Sequence, residues 1–163
     1  MLALSVNKVE KTMSNPTHIL IVDSPYYEDI TGELLRGAID VLDKAGATYE
    51  RVSVPGAFEI PAAVRFAADA SEGERTHYDG YIALGCVIRG ETSHYDYVCG
   101  ESARGLQELA IKDRLAIGYG VLTVENQDQA WARASVDKGN KGGYVAETAL
   151  RMIELKQKFG LIA

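Results

Sequence analysis

Cysteine is scarce in this sequence, and the pair that is present does not suit the sites that cysteine usually builds. Cys86 and Cys99 are the only two among 163 residues. That is too few for the disulfide framework of a secreted domain, and their separation is not that of a zinc finger. No cysteine nucleophile with an adjacent base is visible either. We therefore expect two buried, hydrophobic thiols in a reducing compartment, and no metal site.

Long hydrophobic runs and runs of basic residues are also lacking. The start of the chain has only a short apolar patch at residues 2–4, and charged residues follow at positions 8, 10 and 11, so neither a secretory leader nor a membrane span is indicated. The 17 basic and 23 acidic side chains give a formal charge of −6, which disfavours nucleic acid as a partner. We expect a cytoplasmic protein that does not associate with a membrane. A small anion can still bind where the surface is locally positive.

Short apolar runs alternate with amphipathic stretches along most of the chain. Helices are predicted over residues 32–44, 61–70, 95–112, 127–134 and 143–159, and strands over residues 18–23, 49–54, 81–88 and 116–124. This alternation predicts the α/β class, a three-layer α/β/α sandwich with a four-stranded, mainly parallel sheet. Gly46 suits a left-handed cap after the first helix. Residues 18–163 should form a single domain, and residues 1–17 should be flexible or exchanged with another copy.

Such sheets bind ligands beyond the carboxyl ends of their strands. The first loop there holds Tyr26 and Tyr27, whose rings could stack on a heterocycle or could form an ordinary surface turn. In the second loop, Gly56 permits a close backbone approach to a ligand. Glu59 precedes a helix, so its carboxylate could cap that helix or could accept hydrogen bonds from sugar hydroxyls.

The third loop is the most informative of the four. It runs from a buried strand directly into a helix, so the backbone amides of Gly90, Glu91 and Thr92 would form a phosphate cradle at the helix N-terminus. The loop lacks the Lys-Ser/Thr ending of a P-loop, which disfavours a nucleotide triphosphatase. His94 begins the helix at this ligand face, where it could transfer protons or could be structural.

The fourth loop is followed by a short helix that carries Arg133. Its guanidinium could bind an anionic ligand through two hydrogen bonds, or it could form a surface salt bridge. Residues 138–142 form a basic, glycine-rich segment of the kind that usually remains a solvated loop. The glycine fingerprint of dinucleotide-binding proteins is absent from the first strand–helix turn.

In order along the chain, four blocks resemble the lumazine synthase family. They are VPGAFEIP (residues 54–61), GCVIRGETSHYDYVC (85–99), TVEN (123–126) and GNKGG (139–143), and the resemblance covers about residues 19–159. It implies a flavodoxin-like fold and an enzyme that needs no cofactor or metal. The family condenses 5-amino-6-(D-ribitylamino)uracil with 3,4-dihydroxy-2-butanone 4-phosphate. The products are 6,7-dimethyl-8-ribityllumazine, phosphate and water, in the penultimate step of riboflavin biosynthesis.

The resemblance also implies a role for each matching residue. For the pyrimidine substrate, Tyr26 would stack on the ring and Lys141 would contact the uracil. The ring and ribityl site would be lined by Ala57, Phe58 and Glu59. Backbone contacts to the ring edge would come from Cys86, Val87 and Ile88. The amides of Glu91 and Thr92 would bind the phosphate of the second substrate, and Arg133 would neutralise its charge. His94 would transfer protons during the reaction. Tyr119 resembles the aromatic residue that a neighbouring subunit contributes.

Members of the family form homopentamers, and some assemble twelve pentamers into a hollow icosahedral shell. The compact GNKGG turn resembles that of the shell-forming members, and riboflavin synthase is a candidate partner. Three positions depart from the family pattern: Cys86 stands where threonine is common, Pro25 where arginine is frequent, and Tyr119 where phenylalanine is usual. Two other functions remain open, a shell or flavin-binding module without activity and a flavodoxin-like electron carrier.

Overall fold

The computed structural model describes residues 15–72 and 77–162, which alternate between strands and helices from the first element to the fourth strand. The elements in chain order are β1 (His18–Asp23), α1 (Glu28–Lys44), β2 (Thr48–Ser53), a 3₁₀ turn (Ala57–Glu59), α2 (Ile60–Glu72), β3 (Gly80–Ile88), α3 (His94–Lys112), β4 (Ile117–Val124), α4 (Gln127–Ala134) and α5 (Lys141–Lys158). Of the N-terminal segment that was predicted to be flexible or exchanged, residues 1–14 lie outside the described residues.

The four strands form one sheet in the order β2-β1-β3-β4, and every neighbouring pair is parallel. The prediction of a mainly parallel sheet is therefore confirmed, and the described strands contain no antiparallel pair. Because all four strands point the same way, their carboxyl ends lie at one edge of the sheet, and the loops that follow them share that edge.

Helices cover both faces of the sheet, which confirms the three-layer architecture. On one face, Ile19 and Ile21 of β1 pack with residues of α1, α4 and α5 in a continuous buried cluster. On the other face, Leu20 and Val22 pack against α2 and α3. The alternation of β1 side chains between the two clusters explains why the strand reads as an unbroken apolar run.

Helices α2 and α3 begin one residue earlier than the sequence predicted, and two other helices begin earlier by more than that. Helix α1 starts at Glu28 instead of residue 32, and its N-cap, Tyr27, makes no side-chain capping hydrogen bond, so no polar cap marks its start in the sequence. Helix α5 starts at Lys141 instead of residue 143. Asn140 lies just before it in a left-handed conformation with φ 44°, and its side chain accepts a hydrogen bond from the amide of Gly143. The segment predicted to be a solvated turn thus includes the first turn of α5.

Gly142 makes the closest approach between α5 and α1. A Cβ atom added there would overlap the carbonyl oxygen of Leu34, whereas one added at Gly32, on α1, would meet nothing within 4 Å. We expect Gly142→Ala to destabilise the protein by about 1–3 kcal/mol through overpacking. Gly32→Ala should stabilise it by about 0.5–1 kcal/mol, because alanine favours a helix. Chemical unfolding at one protein concentration compares the two variants, and a similar loss in both would contradict this packing.

No helix in the described part of the chain is both long enough and apolar enough to cross a membrane.

Candidate active site

A cavity of about 480 Å³ opens at the carboxyl ends of β1 and β3. Its walls come from the loops after β1 and β2, from the end of β3 and from the start of α3. Of the thirteen residues that the sequence singled out, eight line it: Tyr26, Ala57, Phe58, Glu59, Cys86, Val87, Ile88 and His94. Ser24, Tyr27, Pro55, Gly56 and Val98 complete the lining. Residues as far apart in the sequence as Ser24 and Val98 therefore meet in one place.

Two aromatic side chains of the cavity are exposed in the isolated chain. Tyr26 is 74% exposed, Phe58 is 54% exposed, and the two belong to different loops. Tyr26 rests edge-to-face on Tyr27, with ring centroids 5.0 Å apart and an angle of 72° between the planes. Exposed aromatic faces beside a cavity favour stacking on a flat ligand. Sequence reasoning gave Tyr27 no separate role, because nothing in the sequence shows that its ring supports Tyr26.

The end of β3 forms a largely buried wall of the cavity. Cys86 is buried, and Val87 and Ile88 are half-buried. Burial raises the pKa of the Cys86 thiol to about 11, and Asp29 and Cys99 add smaller electrostatic contributions in the same direction. The thiol is therefore protonated at neutral pH, and its chemistry there is that of a small apolar group.

A buried carboxylate joins the strands that carry the first two loops. Asp23, at the end of β1, is fully buried and accepts hydrogen bonds from Arg51 Nε at 2.8 Å and from Ser53 Oγ at 2.5 Å, both on β2. Its carbonyl oxygen also accepts a bond from the amide of Val54 at 2.8 Å. Sequence reasoning missed this cluster, because its members become neighbours only through the register of β1 and β2. The Arg51 side chain is half-exposed, but its loss would leave a buried carboxylate without its charged partner, which is destabilising.

The third loop, residues 90–93, passes beside His94 at the start of α3. Glu91, Thr92, Ser93 and His94 are all exposed. Ser93 occupies the N-cap position but makes no side-chain capping hydrogen bond. The amide of His94 donates to Thr92 Oγ1 at 3.3 Å. A helix N-terminus without a full cap leaves amide groups for an anion, and the helix dipole favours negative charge there.

Five of the thirteen residues do not line the cavity. Glu91 and Thr92 lie in the adjoining loop. Tyr119 lies on β4, an edge strand of the sheet, and lines a separate concavity of about 320 Å³ with residues of α3. Arg133 Nη1 donates to the carbonyl oxygen of Gln129 at 3.0 Å, and Lys141 Nζ lies 4.5 Å from the centroid of the Tyr144 ring. The structure of one chain therefore separates these last three residues from the pocket.

Within residues 15–72 and 77–162, no three His, Cys, Asp or Glu side chains are grouped so that they could hold a metal ion.

Comparison with known proteins gives consistent matches along nearly the whole chain. The family model described as 6,7-dimethyl-8-ribityllumazine synthase matches residues 16–157. The 6,7-dimethyl-8-ribityllumazine synthase 1 of Rhizobium meliloti (strain 1021) is 56% identical over 145 residues, which cover 89% of this chain and 95% of the relative. The 6,7-dimethyl-8-ribityllumazine synthases of Bartonella tribocorum and Agrobacterium fabrum are 54% and 53% identical, over 92% and 91% of this chain and 97% and 99% of their own lengths. This chain belongs to the 6,7-dimethyl-8-ribityllumazine synthase family.

Proposed function

We propose that the 480 Å³ cavity is the active site of a transferase of riboflavin biosynthesis. The reaction is the condensation of 5-amino-6-(D-ribitylamino)uracil with 3,4-dihydroxy-2-butanone 4-phosphate to give 6,7-dimethyl-8-ribityllumazine, phosphate and two molecules of water. The observation that carries the proposal is the convergence of two family-like blocks and the loop after β1 on one cavity, next to an incompletely capped helix N-terminus. A site for a flat heterocycle and a site for a phosphate thus lie side by side.

The pyrimidine half of the site is the aromatic and apolar part of the cavity. The rings of Tyr26 and Phe58 offer faces on which the uracil can stack, and the backbone at Cys86, Val87 and Ile88 offers polar groups to its edge. Glu59 is exposed, so its carboxylate is accessible to the ribityl hydroxyls, while Ala57 is buried beside it. These contacts hold the amine in place, and such orientation can contribute about 7–11 kcal/mol to lowering a barrier between two reactants.

The phosphate half is the loop before α3. The amides of Glu91 and Thr92 bind the phosphate at the helix N-terminus, where the helix dipole favours it. His94 lines the cavity next to that loop. From this position it can move a proton between the attacking amine and the carbonyl oxygen, and it can assist loss of water when the imine forms.

The assembly completes the site. Tyr119, Arg133 and Lys141 do not line the cavity of their own chain, so we propose that a neighbouring copy in a homopentamer brings them to it. A shared wall would exclude water from a rim on which Tyr26 and Phe58 are otherwise exposed. Assembly of twelve pentamers into a shell, location in the cytoplasm and contact with riboflavin synthase belong to the same proposal.

The first experiment is product formation from the two substrates. Fluorescence of the lumazine should appear only when both substrates and the protein are present, whereas a shell or flavin-binding module would form none. Sedimentation or light scattering on the same sample separates a pentamer of 17.7 kDa chains from a twelvefold larger shell. An active monomer at low concentration would exclude the shared site.

The Cys86 side chain should be replaceable. We expect Cys86→Thr to keep kcat within a few-fold of the parent, because the contact proposed at this position is made by backbone and the thiol is protonated at neutral pH. Thiol-blocking reagents at neutral pH should not inactivate the protein by modifying Cys86. They should modify the partly exposed Cys99 first. An inactive but folded Cys86→Thr protein would show that the thiol itself matters.

A further inference from the structure

One arginine closes the base of the loop at residues 90–93. Arg89 follows the last residue of β3, and its amide donates to the carbonyl oxygen of Val124 at 2.9 Å. Its Nε donates to Glu125 Oε2 at 2.9 Å, beyond the end of β4, and its Nη1 donates to Asp96 Oδ1 at 3.3 Å, in the first turn of α3. The guanidinium carbon lies 4.2 Å from the centroid of the Tyr95 ring. A single side chain therefore connects both ends of the loop with the end of β4.

The other hydrogen bonds of the loop are local: the amide of His94 donates to Thr92 Oγ1 at 3.3 Å, and the amide of Asp96 donates to the carbonyl oxygen of Ser93 at 3.0 Å. Residues 90–93 are exposed, and the N-cap residue Ser93 makes no side-chain capping bond. The partner beyond the end of β4 is better fixed, because the amide of Glu125 donates to Gln129 Oε1 at 2.9 Å, in the first turn of α4. Arg89 thus ties a sparsely held loop to a more firmly held position.

The same contacts make Arg89 unsuited to be a phosphate ligand. Its guanidinium is already hydrogen-bonded to two carboxylates and lies against an aromatic ring. A planar guanidinium can make these three contacts at once, whereas the ammonium of lysine cannot reproduce the planar contact with the ring or the spacing of the two hydrogen bonds. The single positive charge of Arg89 also balances one of the two negative charges of Asp96 and Glu125.

We propose that Arg89 is a positioning residue, which holds residues 90–93 in the conformation that binds the phosphate of the substrate without contacting the phosphate itself. The proposal rests on the proposed function of that loop. Arg89 does not line the cavity. In this proposal, phosphate binding by residues 90–93 depends on the contacts that Arg89 makes with Glu125, after β4, and with Asp96, on α3.

The test compares Arg89→Lys with Arg104→Lys in the full-length, assembled protein. Arg104 is a matched control, because it also bonds two carboxylates, Glu101 and Glu108, on α3 outside the cavity. Binding of inorganic phosphate is measured by calorimetry, and KM is measured for each substrate. We expect Arg89→Lys to weaken phosphate binding and raise KM for the butanone phosphate by about tenfold, while KM for the pyrimidine stays within about twofold. Arg104→Lys should change none of these.

Further variants separate positioning from charge. If Arg89 bound the phosphate directly, Glu125→Gln would release its guanidinium and tighten phosphate binding, whereas a positioning role predicts weaker phosphate binding in Glu125→Gln. If Arg89 only balanced charge, the triple variant Arg89→Met/Asp96→Asn/Glu125→Gln would bind phosphate normally. Either result overturns the proposal, which expects the triple variant to be as impaired as Arg89→Lys or more. A parent protein that forms no lumazine would instead remove the proposed function, so the two failures are distinguishable.

Discussion

Replacing Arg133 with alanine is expected to lower kcat/KM for the butanone phosphate by about 10²–10³-fold, mainly by raising KM. If Arg133 neutralises the phosphate inside a closed site, its removal leaves an anion without its partner, which typically costs about 2–5 kcal/mol. Arg133 is exposed, and its Nη1 donates to the carbonyl oxygen of Gln129 in its own helix. Among residues 15–72 and 77–162 it forms no ion pair that would have to break before it reaches a ligand. Its guanidinium can then bind two phosphate oxygens at once.

His94→Ala should have a smaller effect. A single acid–base group typically accelerates the chemical step by about 10²–10⁴-fold. The lower end of this range applies here, because the attacking amine is already a fair nucleophile. We therefore expect a loss of about 10²-fold or less, seen in kcat and not in KM for the phosphate substrate. Steady-state kinetics of the two variants, with each substrate varied in turn, makes the comparison.

Two controls strengthen that comparison. Arg151→Ala removes a positive charge from α5 and leaves Glu154 as an exposed former partner, so it reports the effect of net charge alone and should leave KM unchanged. Arg133→Lys keeps the charge but loses the two-point contact, and it should lie between the parent and Arg133→Ala. A dead His94 variant beside a nearly normal Arg133 variant would overturn the order of importance proposed here.

The fold and most of the cavity could be predicted from the sequence for a simple reason. A parallel sheet places the carboxyl ends of all its strands at one edge, so residues 55–59 and 86–88 had to approach one another once the strands were recognised. The family-like blocks then supplied the residue types. Helix boundaries were less predictable, as at α1, where Tyr27 gives no polar capping signal.

The supporting contacts could not be predicted, because they depend on register and side-chain direction. Asp23 and Arg51 are 28 residues apart, and Arg89 and Glu125 are 36 apart. Each pair meets only because two particular strands lie side by side in a particular register. A sequence shows the charges but not this pairing, so these residues were not assigned to the site.

Assembly is the other property that one chain does not display. Tyr119, Arg133 and Lys141 lie neither in the cavity lining nor in the loop beside it. The rim of the cavity is nevertheless exposed at Tyr26 and Phe58. In a ring of identical copies, the surface of one subunit that meets its neighbour differs from the surface that receives the next, so a residue far from its own cavity can lie in the adjacent one. This geometry makes a prediction about mixtures of two inactive proteins.

Two variants, each strongly impaired alone, should restore activity when they assemble together. One carries Arg133→Ala and keeps an intact cavity, and the other carries Phe58→Ala and Glu59→Gln and keeps Arg133. With random equal mixing in a ring, a cavity has a one-half chance of being intact and an independent one-half chance of facing an intact Arg133. About a quarter of the sites should therefore recover, provided that each site is built from two adjacent copies.

The measurement is the rate of lumazine formation after co-expression of the two variants, or after joint dissociation and reassembly, relative to the parent at equal chain concentration. A chain that carries both sets of changes, assembled alone, gives the background. A similar mixture of Tyr119→Ala with the cavity variant extends the test to the aromatic residue on β4. If cavity and Arg133 belonged to one chain, no mixture could contain a complete site, and activity would stay at the level of the two variants alone. Such a result would exclude the shared active site, even if the protein proved to be a pentamer in solution.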